Sequence, residues 1–361
     1  MAATRKGAKG KQPEKSQKSK ARKRNFDQED RDEKASAAPQ EKKQNFLDEC
    51  KEEFKTTIEE KFGLLFPDDF FWFYSFIKNQ ADGFLEDLEL QLTGPYHMLN
   101  GNIKKDTDLS STKLNLHGRY FVDTPEVNTV LYSTQDSDDL HIAYYRDSPT
   151  ELPSLMVCCK NNQSGELNQY GDNIFGAISL YIKEKLKRTK DKSKTQKLKT
   201  HLEAIEKQAE KHGLSLEANP PSLKKRAKLT VTKSFNKVGL VVPLDDSGVG
   251  YREIRHSDKE LKKVLTRIVD ATNNDDEDTR NKYLDELQET ITFIQFANDE
   301  CDYGMGLEFG IDLFVFANEN FHGMIEHVLP LAYRLLKRDL FADILEAHLE
   351  DRRRKGPISV L

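Results

Sequence analysis

The stretch VNTVLYSTQDSDDLHIAYY, residues 127–145, decides the fold. Val127 to Tyr132 and Leu140 to Tyr145 are short runs of β-branched and aromatic residues separated by a Ser/Asp cluster. That pattern predicts strands joined by a turn. Similar runs surround it. Leu88, Leu90 and Leu92 alternate before the Gly94-Pro95 turn, and Leu114-Asn115-Leu116 and Arg119 to Val122 lie between polar clusters. From about Leu88 to Val157 the pattern predicts an antiparallel or mixed sheet.

Helical signals flank this region. Phe46, Cys50, Phe54, Ile58 and Phe62 recur every four residues, the stripe of an amphipathic helix. Pro67-Asp68-Asp69 reads as the first turn of another helix, and Phe70 to Ile77 make it apolar nearly all round, hence buried. Gly171-Asp172-Asn173 caps a helix over Ile174 to Leu186. It continues, or restarts, as the basic Lys183–Lys199 stretch and the amphipathic Leu202–His212 segment. Those cations suit phosphate or an acidic partner, and equally a solvated helical face.

Asn219-Pro220-Pro221 breaks the pattern and reads as a boundary. Beyond it, Val238 to Pro243 reads as a buried strand. Ser257-Asp258-Lys259-Glu260 matches a capping box, followed by an inner face of Leu261, Val264, Leu265, Ile268 and Val269. A helix is expected over Thr279 to Glu289, a strand over Ile291 to Phe296, a hairpin closed by Phe314 to Phe316, and helix through Phe321–Leu349. The fold class is therefore α+β, in two mixed units. A disordered tail (1–44) precedes a sheet-and-helix domain (45–213) and a domain with a short sheet and several helices (214–361).

The net charge of the 361 residues is -5, but it is segregated. Residues 1–24 hold ten basic residues against Glu14, leaving -14 for the remainder. A uniformly basic nucleic-acid binder is excluded; the pattern is an acidic body with a basic arm. Mean hydropathy is -0.73 and no apolar run approaches a membrane span. Nor is there an apolar segment behind the N-terminal cations to make a secretory signal. Cys50, Cys158, Cys159 and Cys301 show no zinc spacing and read as reduced thiols of an intracellular protein. The tail has too little apolar surface to offset its ordering entropy. Within it, Lys18, Lys20, Arg22, Lys23 and Arg24 form a nuclear-import or nucleic-acid patch. Lys224-Lys225-Arg226-Ala227-Lys228 is a weaker second candidate and reads equally as solvated linker.

The chemistry concentrates in Ala297-Asn298-Asp299-Glu300-Cys301-Asp302-Tyr303-Gly304-Met305-Gly306-Leu307-Glu308-Phe309-Gly310. Asp299, Glu300 and Asp302 crowd like charge, an arrangement that in general can tune a carboxylate for work as a general base. The same residues could hold a metal, such as magnesium on two of the carboxylates, though no phosphate-cradling P-loop accompanies them. The calcium-loop template fails, because Tyr303 and Phe309 stand where Gly and Glu are required. An exposed acidic hairpin tip accounts for them as well. Tyr251-Arg252, beside Gly248 and Gly250, offers an amphipathic ring and a planar fork, a pair typical of interfaces and also of internal ion pairs. His256, His322, His327 and His348 are scattered and read as surface or packing residues.

Phe293 to Glu308 as a whole resembles the signature of the histone PARylation factor family. So do Gly239-Leu240-Val241-Val242-Pro243, Val249-Gly250-Tyr251-Arg252-Glu253 and Leu329-Pro330-Leu331-Ala332-Tyr333. In the first half, Leu92-Thr93-Gly94-Pro95-Tyr96, Tyr145-Arg146-Asp147-Ser148-Pro149 and Gly171-Asp172-Asn173-Ile174-Phe175 match as well. The resemblance covers about residues 45–350. It implies a protein that is no enzyme alone but docks on the catalytic domain of DNA-break-activated poly(ADP-ribose) polymerases and completes their active site. Glu300 falls on the catalytic glutamate, the general base for an acceptor serine that attacks NAD. Asp299 and Asp302 fall on positions that shape the joint site and touch the partner, and Tyr251 and Arg252 on the docking pair. The implied cofactor, NAD, is bound by the polymerase and none by this chain. Histones and the polymerase are the implied substrates, chain elongation is restricted, and the setting is the nucleus, at chromatin lesions. The chain is expected to be monomeric when free, with weak DNA contact through the tail and no membrane contact. Two other classes stand beside this one: a metal-dependent enzyme using Asp299, Glu300 and Asp302, and a nucleic-acid adaptor acting through the basic tail.

Overall fold

Each strand of the main sheet pairs with the next one in the chain. A computed structural model describes residues 54–79, 83–135, 139–160, 164–352, 354 and 356–361. Phe46, Cys50 and the tail with Lys18, Lys20, Arg22, Lys23 and Arg24 lie outside the described residues. The first half comprises α1 (residues 54–62), α2 (Asp68–Asn79), α3 (Phe84–Leu88), β1 (Leu90–Leu92), α4 (Tyr96–Leu99) and α5 (Ser111–Leu116). Then come β2 (Val127–Ser133), β3 (His141–Tyr145), β4 (Leu155–Cys159), β5 (Leu167–Gln169), α6 (Ile174–Arg188) and α7 (Lys192–His212). The sheet order is β1-β2-β3-β4-β5, all antiparallel.

Alternate side chains of β3 and β4 enter different cores. Ile142, Tyr144, Met156 and Cys158 face the aromatic cluster of α1, α2 and α6. Ala143, Tyr145, Leu155, Val157 and Cys159 face a second cluster with Phe121, Val122 and Leu223. Both faces are covered, which is why these strands read as nearly continuous apolar runs. Asp69, in the first turn of α2, does more than face the dipole. Its Oδ2 accepts from the Tyr144 hydroxyl at 2.9 Å and the Ile174 amide at 2.8 Å, joining α2, β3 and the start of α6. Burial pushes this carboxyl up to about 6.

Some expected strands are not strands. Leu114-Asn115-Leu116 belongs to α5, whose N-cap Ser110 accepts from the Lys113 amide at 3.3 Å. Arg119 to Val122 is irregular, with the Arg119 guanidinium donating to the Asn115, Asp123 and Thr124 carbonyls. Leu88 ends α3 and does not extend β1.

The second half is mostly helical: α8 (Pro221–Ala227), the two-stranded β6 (Thr230–Thr232) and β7 (Leu240–Val241), then α9 (Asp258–Asn273), α10 (Glu277–Asp299), α11 (Gly304–Val315), α12 (His322–Leu335) and α13 (Asp339–Glu350). The capping box at Ser257 and Glu260 is formed in full. The expected strand at Ile291–Phe296 is instead the last third of a 23-residue helix. Its buried set, Leu287, Thr290, Ile291, Ile294 and Ala297, follows the three- and four-residue spacing of a helix face. Read over six residues alone, the same letters pass for a strand. Phe314 to Phe316 closes no hairpin, because α11 runs to Val315. All twelve residues of α11 are buried, so it is the central helix of this half. Gly310 lets α12 pack close, since a Cβ there would sit 2.7 Å from Leu329 Cβ. Phe321–Leu349 is two helices broken at Lys337, whose φ is 58°. Among the described residues no helix is long and apolar enough to cross a membrane.

Candidate functional site

Helix α10 ends in a Schellman motif. The Asp302 amide donates to the Ala297 carbonyl at 2.8 Å and the Cys301 amide to Asn298 at 3.1 Å, while Cys301 takes the left-handed position with φ 68°. A side chain there costs about 1 kcal/mol relative to glycine. The turn sets Asp299 and Glu300 at the negative end of the helix dipole, where carboxylates are disfavoured. It also sends Asp302 inward, its side chain 10% exposed against 60% for Glu300.

A loop from the β7 side clamps this turn. Asp302 Oδ1 accepts the Gly250 amide at 2.9 Å, and the Gly250 carbonyl accepts the Gly304 amide at 2.9 Å. Gly250 has φ 140°, and a Cβ on it would lie 2.2 Å from the Pro243 carbonyl oxygen, so only glycine fits. The next two residues are thereby fixed. The Tyr251 hydroxyl donates to Glu308 Oε2 at 2.9 Å, and Thr232 Oγ1 donates to Glu308 Oε1 at 2.8 Å. Burial raises both Glu308 and Tyr251 above their ordinary values. Arg252 reaches back over the helix end, where its Nη2 binds Glu300 Oε2 and lies 2.9 Å from Asp302 Oδ2. The hydrogen bond to Glu300, then the charges of Glu300 and Asp302, hold the guanidinium above its usual range.

The acidic tip of a hairpin is therefore a helix end, and the like-charge crowding expected there is offset by a cation from another segment. Arg252 occupies the space between Glu300 and Asp302 that a metal would take. Among the described residues no group of three or more His, Cys, Asp or Glu side chains could hold a metal ion. Glu300, Asp302, Tyr251 and Arg252 come together; Asp299 is exposed and joins no ion pair among the described residues. Of the histidines, His256 pairs with Glu286 at 2.9 Å, His322 meets Arg352 at 3.1 Å, and His348 is buried and pushed well below its ordinary value by desolvation. His327 is exposed. On α8, Arg226 grips Asp147 through two bonds of 2.8 and 2.6 Å, which removes it from any basic patch at 224–228.

Sequence reading missed Glu308, Thr232 and the aromatic rim. Phe293 and Phe296 are 39% and 55% exposed on the outer face of α10, with Arg255 over the Phe293 ring at 4.8 Å. Phe296 lies one helical turn before Glu300. The apolar run was visible, but only the helical period turns these two outward.

An α+β scaffold that presents an exposed carboxylate, a clamped arginine and solvent-facing aromatic rings on one rim offers a surface suited to contact with a second macromolecule. The chain belongs to the histone PARylation factor 1 family: the family model described by that name matches residues 53–352. It is 41% identical over 305 residues to Histone PARylation factor 1 of Mus musculus, covering 83% of this chain and 87% of the relative. The Danio rerio protein of the same name is 40% identical over 306 residues, covering 83% and 86%. A Putative histone PARylation factor 1-like protein of Homo sapiens is 39% identical over 321 residues, covering 87% and 91%.

Proposed function

We propose that this chain is an accessory factor that binds a DNA-damage-activated poly(ADP-ribose) polymerase and completes its active site, so that serines of histones and of the polymerase are ADP-ribosylated. It is no enzyme on its own. The polymerase binds NAD and this chain supplies the general base, Glu300. A serine hydroxyl has a pKa far above neutrality, so a positioned carboxylate that takes its proton as the oxygen attacks NAD is worth about 10²–10⁴-fold in rate. Tyr251 and Arg252 dock the polymerase, with Asp299 and Asp302 shaping the joint site. Occupying that face also limits chain elongation.

The observation that supports this reading best is the pairing of the exposed Glu300 with Arg252 on a loop made rigid by Gly250 and Asp302. One residue of the pair can turn to the partner while the other is left to the substrate. The docking pair and the acidic motif both fall in the proposed C-terminal unit, residues 214–361. The protein works in the nucleus, and Lys18, Lys20, Arg22, Lys23 and Arg24 are the proposed import patch.

The test is ADP-ribosylation of a histone peptide with the polymerase present. Glu300→Gln should keep polymerase binding and lose serine modification by about 10²-fold or more. Serine modification at the wild-type rate overturns the assignment.

A further inference from the structure

We propose that the corner between α6 and α7 is a docking surface for the phosphate backbone of duplex DNA. Lys187, Arg188, Lys190, Lys192, Lys194 and Lys199 are all exposed there, and the one acid among them is Asp191. That carboxylate is already engaged as the α7 N-cap, accepting the Ser193 and Lys194 amides at 2.7 and 3.2 Å. Lys197 is held by Asp87 at 2.8 Å, and Arg188 only approaches Glu184 at 4.0 Å. The five lysines make no ion pair among the described residues. After Asp191 no acid follows until Glu203.

The charge is also stacked against local preference. Lys192 and Lys194 occupy the first turn of α7, the positive end of the helix dipole, where cations are disfavoured. Such a corner is relieved by a dense polyanion. Lys192 and Lys199 lie about 10 Å apart along the helix axis, a length over which duplex DNA carries roughly six phosphate charges.

Residue chemistry selects the partner class. Five of the six cations are lysines, point charges that suit phosphate better than the forked reading of bases. The exposed uncharged residues among and beside them, Ser193, Gln196 and Thr200, are polar and offer no apolar anchor of the kind a protein interface requires. The inference uses the reading above only to place the chain near broken DNA.

The test is fluorescence anisotropy of the full-length protein with a labelled blunt DNA duplex, without polymerase, across about 50–200 mM salt. The combined variant Lys187→Gln, Lys190→Gln, Lys192→Gln, Lys194→Gln should bind roughly tenfold or more weakly and flatten the log–log salt slope by about 3–4. Its thermal midpoint checks that α7 still folds. A second full-length variant neutralises Lys18, Lys20, Arg22, Lys23 and Arg24. Unchanged duplex binding by the α6–α7 variant, with loss confined to the tail variant, overturns the proposal. So does a loss seen equally with an acidic polypeptide, which would make the corner a protein surface. Glu300→Gln should bind duplex as wild type does. Failure of the accessory-factor reading would therefore appear in the serine assay and leave this measurement untouched.

Discussion

Asp302 accepts the Gly250 amide through a carboxylate oxygen that is almost wholly shielded from water. The bond ties the arginine loop to the end of α10 across about fifty residues of chain. With the return bond from Gly304 to Gly250, it makes the position of Arg252 a property of the backbone.

Gly250→Ala should therefore act like a loss of Arg252 without touching it. The added methyl meets the Pro243 carbonyl, and the φ of 140° is closed to alanine. A strain of about 1–3 kcal/mol is expected, relieved by moving the loop. Polymerase pull-down should fail while circular dichroism still reports a folded protein. Wild-type affinity would show that the loop is not held where it matters.

Arg252→Ala should separate docking from chemistry. Binding should weaken by roughly 10–100-fold, as for an interface anchor, and serine modification should return as the variant is titrated to high concentration. Glu300→Gln should not recover at any concentration. If Arg252→Ala stays inactive at saturation, the arginine takes part in the reaction itself.

The pH dependence of stability should carry the mark of Asp312. This residue of α11 accepts the Ser234 hydroxyl and the Phe235 amide, both at 2.7 Å, yet burial pushes its carboxyl up to about 7. The folded state thus holds a proton that the unfolded chain, with an ordinary value near 3.8, releases earlier. The stabilising contribution is complete below about pH 4 and is lost as the pH rises through about 7, on the order of 2–4 kcal/mol. Asp312→Asn keeps the acceptor and should remove that slope. Parallel denaturation profiles for the two proteins between pH 4 and 7 would refute the assignment.

Arg226→Ala should cost about 3–5 kcal/mol, because it strands Asp147 and leaves the Val238 and Gly239 carbonyls without their donor. Lysine should rescue little, since the contact is a two-pronged fork. The check is urea denaturation, and an unchanged midpoint would mean the pair is replaceable by water.

How much of this was legible beforehand depended on the range of the cause. The two central strands, the Asn173 cap and the Ser257 capping box are written in residues that touch along the chain, and they stand where the pattern put them. The run at 291–296 was misread because the residues that settle its period, Leu287 and Ala297, lie outside it. Glu300 stood out through charge density and through the family motif around it. Its contact with Arg252, and the support that Glu308 gives Tyr251, arise from packing between segments about fifty residues apart, which no local pattern encodes.

The chain-order pairing of the five-stranded sheet has a kinetic consequence. Strands β2, β3, β4 and β5 meet across short connections, so their closure entropy is small and they are expected to form early, whereas β1 joins β2 only across the longer segment that holds α4 and α5. The Gly250–Asp302 clamp must wait for a longer loop, and the bond from the Ile358 amide to the Arg119 carbonyl closes one several times longer still. During refolding the protein should therefore acquire its scaffold before it acquires the ability to dock. Pulsed hydrogen exchange should protect the β2–β3 amides ahead of the Gly250 amide, and the reverse order would contradict this sequence of events.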